Sequence, residues 1–94
     1  MFDELDGFIW DKGNYLKNLV KHNITCQESE EVFLDENQII IKDELHSISE
    51  QRRLIIGKTH NDILLSVVFT VRNNKIRIIS ARRAPIKERR LYEK

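Results

Sequence analysis

The stretch ILLSVVFTVRNNKIRIISARR, residues 63–83, carries the strongest structural pattern in this chain. From Ile63 to Arg72 every second residue is apolar, which is typical of a strand with one wholly apolar face. Asn73 and Asn74 follow, and asparagine tolerates the positive φ angles of a tight hairpin turn. Residues 75–83 then predict a second strand. We therefore expect an antiparallel hairpin whose first strand is central to a sheet.

Side chains alternate between the two faces of a strand, which assigns the second strand's residues to faces. One face is expected to carry Ile76, Ile78 and Ser80, and the other Lys75, Arg77, Ile79 and Ala81. Arg82 and Arg83 come at the strand end, on opposite faces or splayed by a bulge. Pro85 is well suited to be the first residue of a short helix. In that helix Glu88 and Tyr92 lie one turn apart on the same side.

Two helices are predicted in the N-terminal half. Asp11 is a candidate N-cap for a first helix over residues 12–22, because its carboxylate can accept the free backbone amides there. Asn23 suits the left-handed position that follows a helix. Thr25 and Glu28 form a T-x-x-E capping box at the start of a second helix that ends near residue 34.

Two further strands are predicted before the hairpin. Residues 38–42 contain three consecutive isoleucines, and residues 52–58 contain a Leu-Ile-Ile run ended by Gly57. Residues 8–10 are expected to be a short extended entry. The pattern predicts one α+β domain over residues 1–94, with a small, mostly antiparallel four-stranded sheet, two N-terminal helices and a short C-terminal helix. We expect the helices on one face of the sheet.

Charge is distributed unevenly along the chain. Residues 74–94 contain eight basic and two acidic residues, a net charge of +6, whereas residues 1–73 contain eight basic and thirteen acidic residues, a net charge of −5. The formal total of +1 conceals this polarity. A basic segment of this kind indicates a polyanionic partner, although a solvated strand and helix would show the same pattern.

Several classes of protein are disfavoured by composition. The first ten residues contain three acids and no base, unlike a secretory signal, and the apolar run at residues 63–71 is too short to span a membrane. The lone Cys26 excludes an internal disulfide and the usual zinc sites. The three glycines are scattered, so no phosphate-binding loop is present. We expect a cytoplasmic protein without cofactor or metal.

One loop of the sequence carries chemistry of interest. His46 has Asp43, Glu50 and Arg52 within a few residues, beside the predicted sheet. Cleavage of RNA by its own 2′-hydroxyl requires a base, an acid and a charge that stabilises the phosphorane. Histidine, glutamate and tyrosine can transfer the protons, and arginine can hold the phosphate. Such a loop is also found simply as solvated surface.

Several motifs resemble one known family. They are F-x-W-D at residues 8–11, N-x-x-K-H at 18–22, D-x-x-H-S-x-x-E-x-R at 43–52, I-R-I-I-S-A-R-x-A at 76–84 and E-R-x-x-Y-E at 88–93. Together they resemble the BrnT ribonuclease toxins of bacterial type II toxin-antitoxin systems. The sequence departs from the family's usual residues at three places: the family usually has a lysine where Asn14 stands, a phenylalanine near Cys26, and a proline where this chain has Glu36.

The resemblance implies a RelE-like fold and an endoribonuclease that inhibits translation by cutting RNA without a metal ion. It also implies a BrnA-type antitoxin with a ribbon-helix-helix DNA-binding end. The complex would be a heterotetramer of two toxins and two antitoxins. Two alternatives of other classes remain open from the residues alone: a non-catalytic nucleic-acid-binding module, and an interaction domain for an acidic partner.

The resemblance and the chemistry together give the candidate site residues. Arg82 and Arg77 are expected to hold the scissile phosphate. His46 and Glu50 are candidates for proton transfer, with Tyr92 as a further catalytic residue. The candidates for contacts with the RNA backbone are Lys21, His22, Arg52, Arg83 and Arg89.

Overall fold

The computed structural model describes residues 5–15, 22–42 and 51–94. The first predicted helix, beyond its first turn, and the loop with His46 lie outside these residues. The described strands are β1 (Phe8–Ile9), β2 (Ile39–Lys42), β3 (Arg53–Lys58), β4 (Leu64–Arg72) and β5 (Lys75–Arg83). The helices are α1 (Cys26–Glu31), which continues as a 3-10 turn over Val32–Leu34, and α2 (Ile86–Tyr92).

The strands form one five-stranded sheet in the order β1-β5-β4-β3-β2. The α+β class is confirmed, as is the central position of β4. The prediction of four strands was wrong, because Phe8 and Ile9 pair with Ile76 and Arg77 in parallel and make the sheet mixed. Two residues are too short a segment for alternation to be recognised in sequence.

The hairpin between β4 and β5 follows the prediction closely. Asn73 and Asn74 have φ angles of 49° and 63°, the left-handed values that a two-residue turn requires. Their short polar side chains make this conformation less costly than it would be for most residues. The turn therefore fixes the register at the Arg72–Lys75 end of the hairpin.

A β-bulge interrupts the β4–β5 pairing and corrects the predicted faces. Val68 lies opposite Ser80, but Phe69 lies opposite Ile78, so Ile79 is an extra residue in β5. Strict alternation fails there, because an unpaired residue shifts all later side chains to the other face. Residues after the bulge therefore exchange sides relative to the prediction, and Ala81 is buried in the core.

One face of the sheet, which we call the core face, carries Leu65, Val67, Phe69, Ile78 and Ala81. The 3-10 turn after α1 packs against it with two buried residues, Val32 and Phe33. The Phe33 ring meets those of Phe8 and Phe69 edge to face, at centroid distances of 5.3 and 5.0 Å. A Cβ at Gly57 would lie 2.9 Å from Val32 Cγ1, so only glycine permits this approach.

The predicted capping box of α1 and the left-handed Asn23 before it are confirmed. Thr25 Oγ1 accepts the Glu28 N–H at 3.0 Å, and Glu28 Oε1 accepts the Thr25 N–H at 2.9 Å. Asn23, just before this helix, has a φ of 57°. The predicted second helix thus begins where expected, but it tightens into 3-10 geometry from Val32.

The C-terminal helix lies on the other side of the sheet. Pro85 is its N-cap, with extended backbone, and not its first helical residue. A second cluster forms from Ile56, Leu64 and Ala84, with Tyr92 packed against it. Ile56 and Leu64 belong to the face opposite the core face. The expectation of helices on one face was therefore wrong, because both faces of β3 and β4 carry apolar residues that need cover.

Candidate active site

The bulge collects two of the predicted arginines on one side of the sheet. We call this side the arginine face and define it by Ser66, Thr70, Arg77 and Arg82. Arg77 lies directly opposite Thr70, and Arg82 lies directly opposite Ser66. At about 3.3 Å per strand residue, the backbones of the two arginines are about 15 Å apart. Strict alternation would have placed the two arginines on opposite faces.

The Arg77 side chain lies between β5 and the turn that begins at Asp11. Its Nη1 donates to Asp11 Oδ2 at 2.5 Å, and only 15% of its side chain is exposed. A Cβ at Gly13 would lie 2.9 Å from Arg77 Nη2, so the backbone at Gly13 closes over the guanidinium. This geometry indicates that Arg77 links β5 to the turn that contains Asp11 and Gly13.

Asp11 uses both carboxylate oxygens. Its Oδ1 accepts the Gly13 N–H at 2.8 Å, the kind of bond expected of an N-cap, while Oδ2 accepts from Arg77. Most of the predicted first helix lies outside the described residues. The hydrogen bond from Arg77, and after it the bond from the Gly13 N–H, lowers the pKa of Asp11 below its ordinary value. Asp11 is therefore charged at neutral pH, and each of its carboxylate oxygens accepts a hydrogen bond.

Asn14, which departs from the family's usual lysine, is a buried structural residue. Its Nδ2 donates to the carbonyl oxygens of Ile9 at 2.9 Å and Ile78 at 2.7 Å. Its Oδ1 accepts the Asp11 N–H at 2.8 Å. The side chain is 1% exposed and joins the first helical turn to β1 and to β5 beside the bulge. A lysine could not reproduce the accepting bond.

Arg82 is the more accessible of the two arginines. Its side chain is 43% exposed, and Nη2 donates to Glu88 Oε2 at 3.1 Å. Glu88 belongs to the first turn of α2, a helix none of whose residues is buried. The Arg82 guanidinium therefore lies at the surface, between the end of β5 and the start of a basic helix.

Tyr92 lies at the other end of α2 and is engaged structurally. Its hydroxyl donates to Asp35 Oδ2 at 2.7 Å, and Lys58 Nζ lies 5.9 Å from its ring centroid. Burial, followed by the hydrogen bond to Asp35, raises the pKa of Tyr92 to about 12. A phenol with this pKa transfers protons poorly near neutral pH. The contact instead fastens α2 to the segment after the 3-10 turn, and the catalytic role of Tyr92 stays a prediction.

The remaining predicted residues that the structure describes do not all lie on the arginine face. Arg83 is exposed on the core side, because it pairs with Leu65, and so lies across the sheet from Arg82. Arg89 and His22 are exposed, and Arg52 is partly buried immediately before β3. Lys21, His46 and Glu50 lie outside the described residues.

Two residues beside the arginines were missed in the sequence. Asp11 was recognised only as a helix cap, and the signal for its second role lies in the F-x-W-D motif, where Phe8 and Ile9 form β1 beside β5. Glu88 was noted only for its spacing to Tyr92. Its contact with Arg82 could have been anticipated, because Pro85 starts a helix that turns the chain back over the strand end.

The described residues contain neither a metal-binding cluster nor a membrane-spanning helix. In residues 5–15, 22–42 and 51–94, no group of three or more His, Cys, Asp or Glu side chains could hold a metal ion. Over the same ranges, no helix is long and apolar enough to cross a membrane.

Comparison with known proteins assigns the family. A search of curated proteins found no match. Residues 10–88 match the sequence model of the ribonuclease toxin BrnT of type II toxin-antitoxin systems, and this range includes Asp11, Arg77, Arg82 and Glu88. The chain therefore belongs to the BrnT family of type II toxin-antitoxin ribonuclease toxins.

Proposed function

We propose that this protein is an endoribonuclease that inhibits translation by cutting RNA without a metal ion. The observation that carries the proposal, besides family membership, is the half-exposed guanidinium of Arg82 at the junction of β5 and α2. That junction lies within the segment of net charge +6. A phosphate there can accept hydrogen bonds from Arg82 and is also attracted by the surrounding positive charge.

The reaction would be attack of a ribose 2′-hydroxyl on the adjacent phosphorus. Arg82 can bind two phosphate oxygens through its planar guanidinium and stabilise the charge that develops in the phosphorane. Arg77 supports this arrangement by bracing the same strand against Asp11. His46 and Glu50 remain our sequence-based candidates for proton transfer, together with Tyr92.

RNA would be bound along the basic segment and its surroundings. Arg89 is exposed on α2, close in sequence to the Arg82–Glu88 contact. Arg52, Arg83, His22 and Lys21 are proposed as further contacts with the RNA backbone. These contacts would be non-specific in sequence, because phosphate groups carry no base information.

We also propose a BrnA-type antitoxin with a ribbon-helix-helix DNA-binding end as the partner. Covering the arginine face and α2 would neutralise the basic segment and exclude RNA at the same time. Two toxins and two antitoxins would form a heterotetramer. Protection of residues 76–92 from amide exchange in the complex tests this surface, and unchanged exchange there would argue against it.

The test of the enzymatic proposal is cleavage of RNA by the purified protein in excess EDTA. The expected products carry 2′,3′-cyclic phosphate or 3′-phosphate ends, because the 2′-hydroxyl is the nucleophile. Loss of activity in EDTA with recovery in Mg²⁺, and 3′-hydroxyl ends, would contradict the mechanism. Salt-sensitive RNA binding without any product would instead favour a non-catalytic binding module.

A further inference from the structure

Two polar atoms beside Arg82 are buried and have no hydrogen-bond partner among the residues that the structure describes. They are Glu88 Oε1 and Ser66 Oγ. Ser66 is 2% exposed and lies opposite Arg82 in the sheet. Leaving such an atom unpaired is unfavourable and rare in native proteins, so two of them beside one arginine call for an explanation.

Two other carboxylates that are buried or partly buried, those of Glu31 and Asp35, differ from Glu88. Glu31 accepts the His60 N–H at Oε1 and Gln27 Nε2 at Oε2. Asp35 accepts the Asn37 N–H at Oδ1, and both the Lys58 N–H and the Tyr92 hydroxyl at Oδ2. Both oxygens of each group are thus satisfied, as expected of structural carboxylates. Glu88 has one oxygen bound and one oxygen without a partner.

The position of Glu88 lets it meet a ligand of Arg82. Its carboxylate is 3.1 Å from the Arg82 guanidinium, and its side chain is 18% exposed. The Arg82 side chain, which donates to this carboxylate, is itself 43% exposed. A phosphate bound to Arg82 would therefore lie close to the Glu88 carboxylate.

Resting on the function proposed above, we infer that Glu88 is a catalytic base of this ribonuclease. Its carboxylate takes the proton of the 2′-hydroxyl while the bond between O2′ and phosphorus forms. The bond between phosphorus and O5′ breaks, and O5′ takes a proton from water or from an acid such as His46. The products are a 2′,3′-cyclic phosphate and a 5′-hydroxyl, and Glu88 returns its proton to solvent before the next turnover.

This assignment gives Arg82 and Glu88 different roles at the junction of β5 and α2. Arg82 holds the phosphate oxygens, and Glu88 moves the proton of the nucleophile. It adds Glu88 to His46 and Glu50, the candidates for proton transfer from the sequence. Glu88 also competes with phosphate for the Arg82 guanidinium. Removing this competition should leave RNA binding unchanged or tighter, and the test measures that effect.

The test compares Glu88→Gln with the parent and with Glu93→Gln. Glutamine keeps the shape of the side chain and can still accept from Arg82, but it cannot take a proton. Glu93 lies in the same helical segment, is exposed, and loses the same charge when changed to glutamine. Cleavage is measured on an RNA oligonucleotide, and binding on the same sequence with every 2′-hydroxyl methylated, at one salt concentration.

We expect the kcat of Glu88→Gln to fall about 10²-fold or more, the usual contribution of a general base. Its Kd for the methylated RNA should be unchanged or lower, because Arg82 loses a competing carboxylate. Glu93→Gln should behave like the parent in both measurements. Neither unfolding nor loss of RNA binding can produce slower turnover together with equal or tighter binding, and rescue of Glu88→Ala by added formate separates proton transfer from positioning of Arg82.

Two results would overturn the inference. One is parent-like cleavage by Glu88→Gln, and the other is loss of cleavage in step with Tm or with binding. If Glu88→Gln does not fold, Glu88→Ala with added formate replaces it: formate should restore cleavage there but not in Arg82→Ala, and failure to restore it overturns the inference. A parent protein that never cleaves RNA removes the proposed function itself, whereas an active parent with an active Glu88→Gln removes only the role of Glu88.

Discussion

The two ends of strand β5 each carry an arginine on the same face, and each arginine meets one carboxylate. Arg77 is 15% exposed and Arg82 is 43% exposed. Asp11 uses one oxygen for Arg77 and the other for a backbone amide. Glu88 uses one oxygen for Arg82 and leaves the other without a partner in the described part of the chain.

The difference shows that an ion pair alone does not distinguish a structural arginine from one available to a ligand. What distinguishes them is the second oxygen of the carboxylate and the exposure of the guanidinium. At the Arg77 end both carboxylate oxygens of Asp11 accept hydrogen bonds, so the pair stabilises the fold. At the Arg82 end Glu88 Oε1 lacks a donor, and the 2′-hydroxyl of an RNA substrate could supply one.

The largest effect on stability is expected from a core substitution that weakens the support of both ends of β5. Phe69 is 1% exposed, meets Phe33 edge to face and pairs with Ile78 beside the bulge. Phe69→Ala should lower the free energy of unfolding by about 3–5 kcal/mol, because a large cavity opens under β5. Urea unfolding measures this loss. A loss below about 1 kcal/mol would mean that the sheet does not depend on this core.

The next effect concerns the Arg82 end alone. Arg82→Ala should slow RNA cleavage about 10²-fold or more, by analogy with the removal of a donor that stabilises an oxyanion. Its stability should fall by only about 1–2 kcal/mol, because Glu88 loses its partner. The control is Arg90→Ala, which removes an exposed positive charge from the same segment. Parent-like cleavage by Arg82→Ala would show that Arg82 is structural.

The Arg77 end should respond in the opposite way. Arg77→Ala should lower the free energy of unfolding, because the ion pair with Asp11 and the close approach of the Arg77 side chain to Gly13 are both lost. Activity should then fall only in proportion to the folded fraction. Thermal melting and cleavage rates measured on the same samples check this. A large loss of cleavage at unchanged Tm would place Arg77 in contact with the substrate.

Sequence reasoning located most elements but not how β5 presents its side chains. The Asn73–Asn74 turn, the Thr25 capping box and the central strand β4 follow from local chemistry, and the structure confirms them. The bulge at Ile79 leaves no such signal, because it depends on pairing with β4. One extra residue therefore exchanged the predicted faces and moved Arg82 to the side of Arg77.

The same limit applies to the candidate site. Arg82 and Arg77 were predicted from charge and from the family resemblance, both of which can be recognised in the sequence alone. Their carboxylate partners come from other elements: Asp11 is 66 positions from Arg77, and Glu88 reaches Arg82 only because α2 folds back. Contacts of this kind depend on tertiary structure, so residue patterns alone could not have shown which arginine is already fully engaged.

The smallest effect is a pH dependence that tests the Asp11–Arg77 pair directly. Folding lowers the pKa of Asp11, mainly through the hydrogen bond from Arg77. A carboxyl group of this kind stabilises the fold above its unfolded pKa, and the stabilisation is lost as pH falls through the lower, folded pKa. Asp11→Asn should keep the helix cap, because asparagine caps as well as aspartate, but it removes this charge.

We therefore expect the Tm of the parent to exceed that of Asp11→Asn at pH 7, with the gap narrowing as the pH falls below about 4. Thermal melting of both proteins at several pH values measures the gap. The control is the same pair of proteins in the Arg77→Ala background, where the largest cause of the pKa shift has been removed and the narrowing should nearly vanish. A gap that is constant with pH, or one that narrows equally without Arg77, would show that the pair does not brace β5, and the contrast between the two ends of the strand would then fail.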